Sequence, residues 1–414
     1  MISISKGIPL QLRPEQIFLL SGLVVNAGNY LYNLILGRIL GPAQFADAAL
    51  MITLLLVLSF VAMTFQLTAA RFASTMNNGD KLHFSRWLYS ISIVIGITLG
   101  LGMVVFSNSL HQVFNTQDST MFIVFGLALP FYFIMSVNRG LYQGEEKFIS
   151  LSITYQLEMF FRLLITLVAL YVLNIQSSTG VALGIAFSMI AGLFPFKRIG
   201  IKLSVNKVLK LPRKKQVVRF LWISAIYEGT LIVCNNSDIL LVKHYFDNLN
   251  AGMYSSLALI GRIVYYVTWM FVMILLPKVV QAKQAGTDTR PLMFGYLKYI
   301  IALCSGIVLF TFLFPEFSVR VLFGQEFVSI APLLGWYAVA TGLFAISNVF
   351  VYYFLSLDHF VPIFLSTAMG IVQVILIVCW HNDLSQVVAM QVISMLLLFL
   401  FQLGYYLRNS KTAA

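Results

Sequence analysis

From residue 15 to residue 407 the chain is a succession of apolar runs. Each is close to the ~20 residues that cross a bilayer as an α-helix. About twelve are legible by hydropathy, at roughly 15–39, 44–70, 84–106, 120–142, 149–173, 179–197, 216–243, 252–277, 292–314, 328–355, 361–381 and 384–407. They use almost the whole length, so no stretch remains for a soluble domain. With 59% hydrophobic residues, 10% charged residues and a mean hydropathy of +0.88, a water-soluble fold of 414 residues could not cover its apolar surface. A membrane barrel would alternate apolar and polar residues over about ten positions. The run MITLLLVLSFV, from Met51 to Val61, does not alternate. The spans are therefore helices, and the predicted fold class is an all-α membrane protein. The first run follows Arg13 and shows no small-residue cleavage site near Arg38, which predicts an uncleaved first helix.

Basic residues orient the spans. Between Lys197 and Arg219 stand nine basic residues and no acidic one. With the amino terminus cytoplasmic, that segment shares its side with Lys6, Arg13, Arg71, Lys81, Arg86, Arg139, Lys147, Lys278, Lys283, Arg290, Lys298, Arg408 and Lys411. The outside then holds only Arg38, Lys243 and Arg320, while Arg162 and Arg262 fall within spans. By the positive-inside rule both termini are cytoplasmic. The net charge of +12 is thus a topology signal, and no nucleic-acid partner is implied. In the central segment Ile199, Ile201 and Leu203 interleave with cations, a pattern that can lie in the interface as a tether between halves.

Six spans precede the basic segment and six follow it. This predicts an N-terminal lobe at 1–196, a cytoplasmic linker at 197–219 and a C-terminal lobe at 220–414. A duplication would relate the lobes as parallel repeats about the membrane normal. Weak internal similarity supports it: LGRILGPAQFADAALM from Leu36 and VKHYFDNLNAGMYSSLAL from Val242 each place a polar turn before a small residue, Ala46 or Gly252, that opens a helix.

Charged and amide side chains inside spans are costly and mark function by default. Glu158 and Arg162, four apart on the fifth span, share a face. They read either as a self-neutralising pair or as a cationic contact for a substrate phosphate, restrained by Glu158 until substrate competes. Glu228, Asn235 and Asp238 form one stripe on the seventh span. Glu228, at mid-depth, is a candidate proton or sodium site, as is Asp238, whose alternative is a hydrogen bond to the polar turn after it. Arg262 precedes Tyr265, Tyr266 and Trp269 on the eighth span. Its guanidinium suits phosphate oxygens and the aromatic rings suit sugar faces; the alternative is an arginine snorkelling to the interface. On the first span Asn26, Asn29 and Asn33 face one way, lining a wet cavity or joining helices. Cys234, Cys304 and Cys379 form no close-spaced motif, so neither a metal site nor a disulfide framework is indicated. No phosphate-binding glycine loop, nucleophile elbow or metal-ligand spacing occurs, and no enzyme or cofactor is expected.

Three stretches carry a resemblance. GRILGPAQFADAALM resembles the "R-x-L-G-P-x-x-F/Y-G" signature of bacterial polysaccharide flippases, and the segment from Asn138 to Val172 resembles their "R-G-x-x-Q-G-x-x-x-F" loop and following helix. NNSDILLVKHYFDNLNAGMYSSLALIGRIVYYV resembles their seventh and eighth helices. The resemblance is to the O-antigen and teichoic-type branch of the multidrug/oligosaccharidyl-lipid/polysaccharide exporter superfamily. It implies two six-helix lobes around a central cavity, in the bacterial inner membrane. It also implies translocation of a lipid-linked oligosaccharide, of polyprenyl pyrophosphate type, by alternating access. Membrane lipids and glycan polymerase machinery would be the partners. Two departures weigh against a simple match. Ala46 stands where the signature has glycine after Phe45, followed by an unusual Asp47, and three candidate carboxylates face two arginines. A cation-coupled multidrug exporter of the same superfamily therefore stays open, as does a non-transporting assembly partner of a glycan polymerase. The peptidoglycan-precursor branch usually has two further helices after the point where this sequence ends.

The topology generates a direct prediction. A cysteine placed at Ser119 should react with a membrane-impermeant thiol reagent in intact cells, and one at Ser204 should not. The reverse labelling pattern would overturn the orientation.

Overall fold

A computed structural model describes residues 14–74, 76–175, 177–196, 214–265, 268, 275, 279, 282, 285–357, 359 and 361–409. Every regular element in it is helical. In chain order these are α1 (Pro14–Ala73), α2 (Asn78–Val105), α3 (Ser107–Phe114), α4 (Thr120–Gly144), α5 (Phe148–Tyr171), α6 (Ser177–Ala191), α7 (Lys214–Tyr245) and α8 (Asn248–Gly261). Then come α9 (Arg290–Leu313), α10 (Pro315–Leu322), a 3-10 helix (Gln325–Leu333), α11 (Leu334–Ser356), α12 (Val361–Cys379) and α13 (Leu384–Asn409). Among the described residues nine helices are long and apolar enough to cross a bilayer. The protein is an all-α, multi-pass membrane protein. The basic linker's residues 197–213, and Tyr266 and Trp269, lie outside the described residues.

The two predicted spans, 15–39 and 44–70, are two helical segments of α1 that meet at a kink: Gly41, with φ 67° and ψ 171°, is not helical, and Pro42 follows it. That φ suits glycine, and proline cannot donate the next ladder bond, so the pair separates the two segments where the sequence places a turn. The span predicted at 179–197 is shorter than expected. α6 has 15 residues and ends at Ala191, just before Gly192 and Pro195.

The chain divides into two compact units. The first comprises Met1–Tyr32, Val61–Ser107 and Thr120–Ser224. Within it α4 is the central element, packing on α2, α5 and α6. Its last turns cross α1 closely: a Cβ on Gly140 would stand 2.3 Å from the Gln66 carbonyl oxygen, and one on Gly144 2.4 Å from that of Ala70. Gly140 and Gly144 are one helical turn apart. They form the small-xxx-small face that lets membrane helices approach where hydrophobic burial between them gains nothing. The second unit comprises Asn33–Phe60, Asn108–Ser119 and Ala225–Ala414. There α11 is central, flanked by α8, α9, α12 and α13. Its core holds Phe350, Tyr353 and Phe354 against Tyr406. The peripheral helices leave large apolar side chains such as Leu101, Val105, Leu309 and Leu313 exposed, as a lipid-facing surface requires.

Gly140→Leu should force α1 and α4 apart at a cost of about 1–3 kcal/mol. Thermal unfolding in detergent measures this. Gly295→Leu, on α9, is the control, since a Cβ there meets nothing within 4 Å. Equal melting of the two variants would contradict the close crossing.

Candidate functional site

In the first unit a buried ionic cluster forms where α4, α5 and α1 meet. Glu158 and Arg162 lie one turn apart on α5 and pair directly. The second Glu158 oxygen pairs with Arg139 of α4 at 2.7 Å. Arg139 is 5% exposed and Arg162 8%. Arg139 Nε donates to Thr154 Oγ1 and its Nη2 to the Thr154 carbonyl, both at 3.0 Å. Its guanidinium lies 3.9 Å over the Tyr155 ring, a cation–π contact. Arg162 Nη1 donates to Asn29 Oδ1 at 3.2 Å, and its buried Nε–H has no acceptor among the described residues. Around this core, Gln66 donates to Tyr155 Oη at 3.0 Å and to Gln143 Oε1 at 3.4 Å. Tyr32 and Thr166 share a hydrogen bond of 3.0 Å. Two arginines face one carboxylate, so the cluster carries a net charge of +1.

The sequence places Arg139 on the cytoplasmic side, near the end of a span. In the structure α4 runs to Gly144, past the predicted end, and packing against α5 buries the guanidinium. The segment R-G-L-Y-Q-G thereby acquires a physical reading. Arg139 pairs with Glu158, Gly140 and Gly144 seat the helix on α1, and Gln143 binds Gln66. Of the three asparagines, Asn29 touches Arg162, Asn33 is buried and Asn26 is exposed.

The second unit holds a different cluster. Arg262 follows the end of α8 and is 3% exposed. It donates to Asp238 Oδ1 at 3.0 Å and to Asn236 Oδ1 at 3.2 Å, both on α7. Asp238 Oδ2 accepts from Tyr254 at 3.1 Å and from Tyr337 at 2.8 Å. Asp238 is thus held by tyrosines and an arginine, not by the turn after it. One arginine meets one carboxylate, and the cluster is neutral. The cavity beside Arg262 measures about 20 Å³, room for a single water. Tyr265 packs on Phe344 with centroids 5.3 Å apart. Glu228, half-buried on α7, makes no hydrogen bond or ion pair with any described residue, and Asn235 is satisfied by the Leu231 carbonyl at 2.8 Å.

A further ion pair was not anticipated. Lys243, expected outside, and Asp47, noted only as a departure from the flippase signature, meet at 2.7 Å with side chains 2% and 0% exposed. Asp47 also accepts from the Gln117 N–H at 2.9 Å, and Lys243 Nζ reaches Asn248 Oδ1. Nearby, Arg38 donates to the Leu322 and Val321 carbonyls at the end of α10. A Cβ on Gly252 would fall 1.8 Å from the Pro42 carbonyl oxygen. Among the described residues no three metal-ligating side chains converge.

Asp238→Asn should strand Arg262 as an uncompensated buried charge and cost about 3–5 kcal/mol. The double variant Asp238→Asn, Arg262→Gln should regain most of it. Melting temperatures and folded yield measure both. A single variant as stable as the wild type would contradict the clasp.

The fold has known relatives. An inward-facing multidrug resistance MATE family transporter of the MOP superfamily aligns over 96% of this chain and 99% of its own, at 14% identity and a TM-score of 0.78. The lipid II flippase MurJ, in an inward closed conformation, aligns over 96% and 89%, at 12% identity and a TM-score of 0.74. An outward-facing MATE transporter aligns over 99% of both chains, at 15% identity and a TM-score of 0.63. No match is found among curated protein sequences. The family model described as polysaccharide biosynthesis protein matches residues 35–332. That match spans most of the chain, which therefore belongs to the polysaccharide biosynthesis protein family.

Proposed function

We propose that this protein is a flippase that carries a lipid-linked oligosaccharide across the inner membrane for cell-surface polysaccharide synthesis. The observation that carries the reading is the net positive charge of the Arg139–Glu158–Arg162 cluster. An uncompensated buried charge costs several kcal/mol. An anionic phosphate or pyrophosphate head group would complete the cluster and supply the acceptor that the Arg162 Nε–H lacks. Family membership supports a polysaccharide substrate, and the shared fold with a lipid II flippase supports a lipid-linked one. In this reading the twelve spans form two six-helix lobes, 1–196 and 220–414, that alternate access around a central cavity, with both termini cytoplasmic. No chemical step on the substrate is involved. Arg162 meets the phosphate, and Asn26, Asn29, Asn33, Tyr265 and Tyr266 offer contacts to the sugars. Arg262 and Asp238 shape the second lobe's polar face.

Glu228 favours coupling to a cation. A carboxylate inside a membrane helix with no partner among the described residues is held at a cost, and it suits a proton or sodium ion. The same residue would serve the second reading, a cation-coupled drug exporter.

Both readings meet in one experiment. Reconstituted vesicles carry a polyprenyl pyrophosphate-linked oligosaccharide, and an impermeant lectin reads its translocation with and without an imposed pH or sodium gradient. Arg162→Ala should slow translocation by about tenfold or more, and Glu228→Gln should remove the gradient dependence. Full activity of Arg162→Ala removes it from the site. Gradient-driven efflux of a cationic dye without lipid translocation favours the exporter.

A further inference from the structure

The two arginines on Glu158 are held very differently. Arg139 is fixed on every side: two hydrogen bonds to Thr154, an ion pair of 2.7 Å to Glu158, and the Tyr155 ring beneath it. Its supports are themselves anchored. Thr154 is fully buried and its hydroxyl donates to the Leu151 carbonyl at 2.8 Å, while Gln66 pins the Tyr155 hydroxyl. Among the described residues Arg162 pairs with Glu158 and Asn29 alone, and its Nε–H meets no acceptor.

We propose that Arg139 is a positioning residue that keeps Glu158 neutralised, so that Arg162 can exchange from Glu158 to an anionic head group. This rests on the reading that Arg162 meets that group. Were Glu158 paired to Arg162 alone, drawing Arg162 away would leave a carboxylate buried and unpaired, which opposes the exchange. With Arg139 in place the carboxylate keeps a partner throughout, and the positive charge that remains is the one the head group needs. Glu158 then acts as a shared anchor whose hold on Arg162 is weakened by division between two cations.

The test uses the full chain in lipid nanodiscs, titrated with a polyprenyl diphosphate, with the uncharged polyprenol as control. Arg139→Gln should weaken diphosphate binding by about tenfold or more, because Glu158 then belongs to Arg162 alone. Glu158→Gln in that background should restore binding, since an amide does not hold the guanidinium as a charge. A purely structural role for Arg139 would not be rescued in this way. Wild-type affinity in Arg139→Gln, or failure of the second substitution to restore binding, overturns the proposal. Should Arg139→Gln not fold, Glu158→Gln alone decides: it should bind diphosphate more tightly than the wild type, and equal or weaker binding overturns the proposal. Arg162→Ala separates the two levels. If it binds diphosphate as well as the wild type, the Arg162 reading fails. If it loses binding while Arg139→Gln keeps it, that reading stands and only the role of Arg139 falls.

Discussion

A bilayer offers no water to a charged side chain, and the internal architecture of this protein follows from that constraint. Glu158, Asp238 and Asp47 each have cationic partners inside the helices. The pairings draw together helices that are distant in sequence: α1 with α7 through Asp47 and Lys243, α4 with α5 through Arg139 and Glu158. Ionic pairing here does what apolar burial does in water-soluble proteins, because lipid and leucine are equally apolar and helix association gains little from hiding one in the other. The remaining association comes from close packing, and the glycines at 140 and 144 supply it at the same crossing where the charges meet.

The clusters in the two units have opposite designs. Asp238 accepts from Tyr254, Tyr337 and Arg262, Arg262 also donates to Asn236, and the arrangement closes on itself around space for one water. Such a network fixes a geometry. Glu158 is shared, one of its arginines has an unused donor, and the sum of charges is not zero. In the proposed function such a network is completed by the anionic head group. The proposed flippase would use both kinds: rigid joints that keep each unit intact, and an interior contact that changes partners without orphaning a charge.

The helical spans were legible because hydropathy over ~20 residues is a local property, and the Gly41–Pro42 bend was visible as a break between runs. Glu158 and Arg162 were legible because one helical turn separates them. What escaped was tertiary. Arg139 lies near the predicted end of a span, where a cation reads as an interfacial anchor, and only the approach of α5 buries it. The pairing of Lys243 escaped for the same reason, since its counter-ion Asp47 is almost two hundred residues away in sequence. The signal was present in one form: an aspartate among small apolar residues on a membrane helix demands a cation. Asp238 was read through its neighbours in sequence, but its partners come from α8 and α11.

Burial also changes how topology should be read. The positive-inside rule counts cations that would have to cross the membrane unpaired near the ends of spans. A lysine that folds against an aspartate is a poor witness to orientation, and so is an arginine committed to a glutamate. Removing Lys243 and Arg139 from the comparison leaves only Arg38 and Arg320 on the predicted outer side. Arg38 is itself engaged with backbone carbonyls at the end of α10, where a cation complements the helix dipole. The predicted cytoplasmic side keeps the whole 197–219 segment and both terminal groups of cations. The bias sharpens when paired charges are set aside, so the same basic residues serve two separate purposes. Those in the linker and termini carry the predicted orientation, and Arg139, Lys243 and Arg262 pair with carboxylates within the helices.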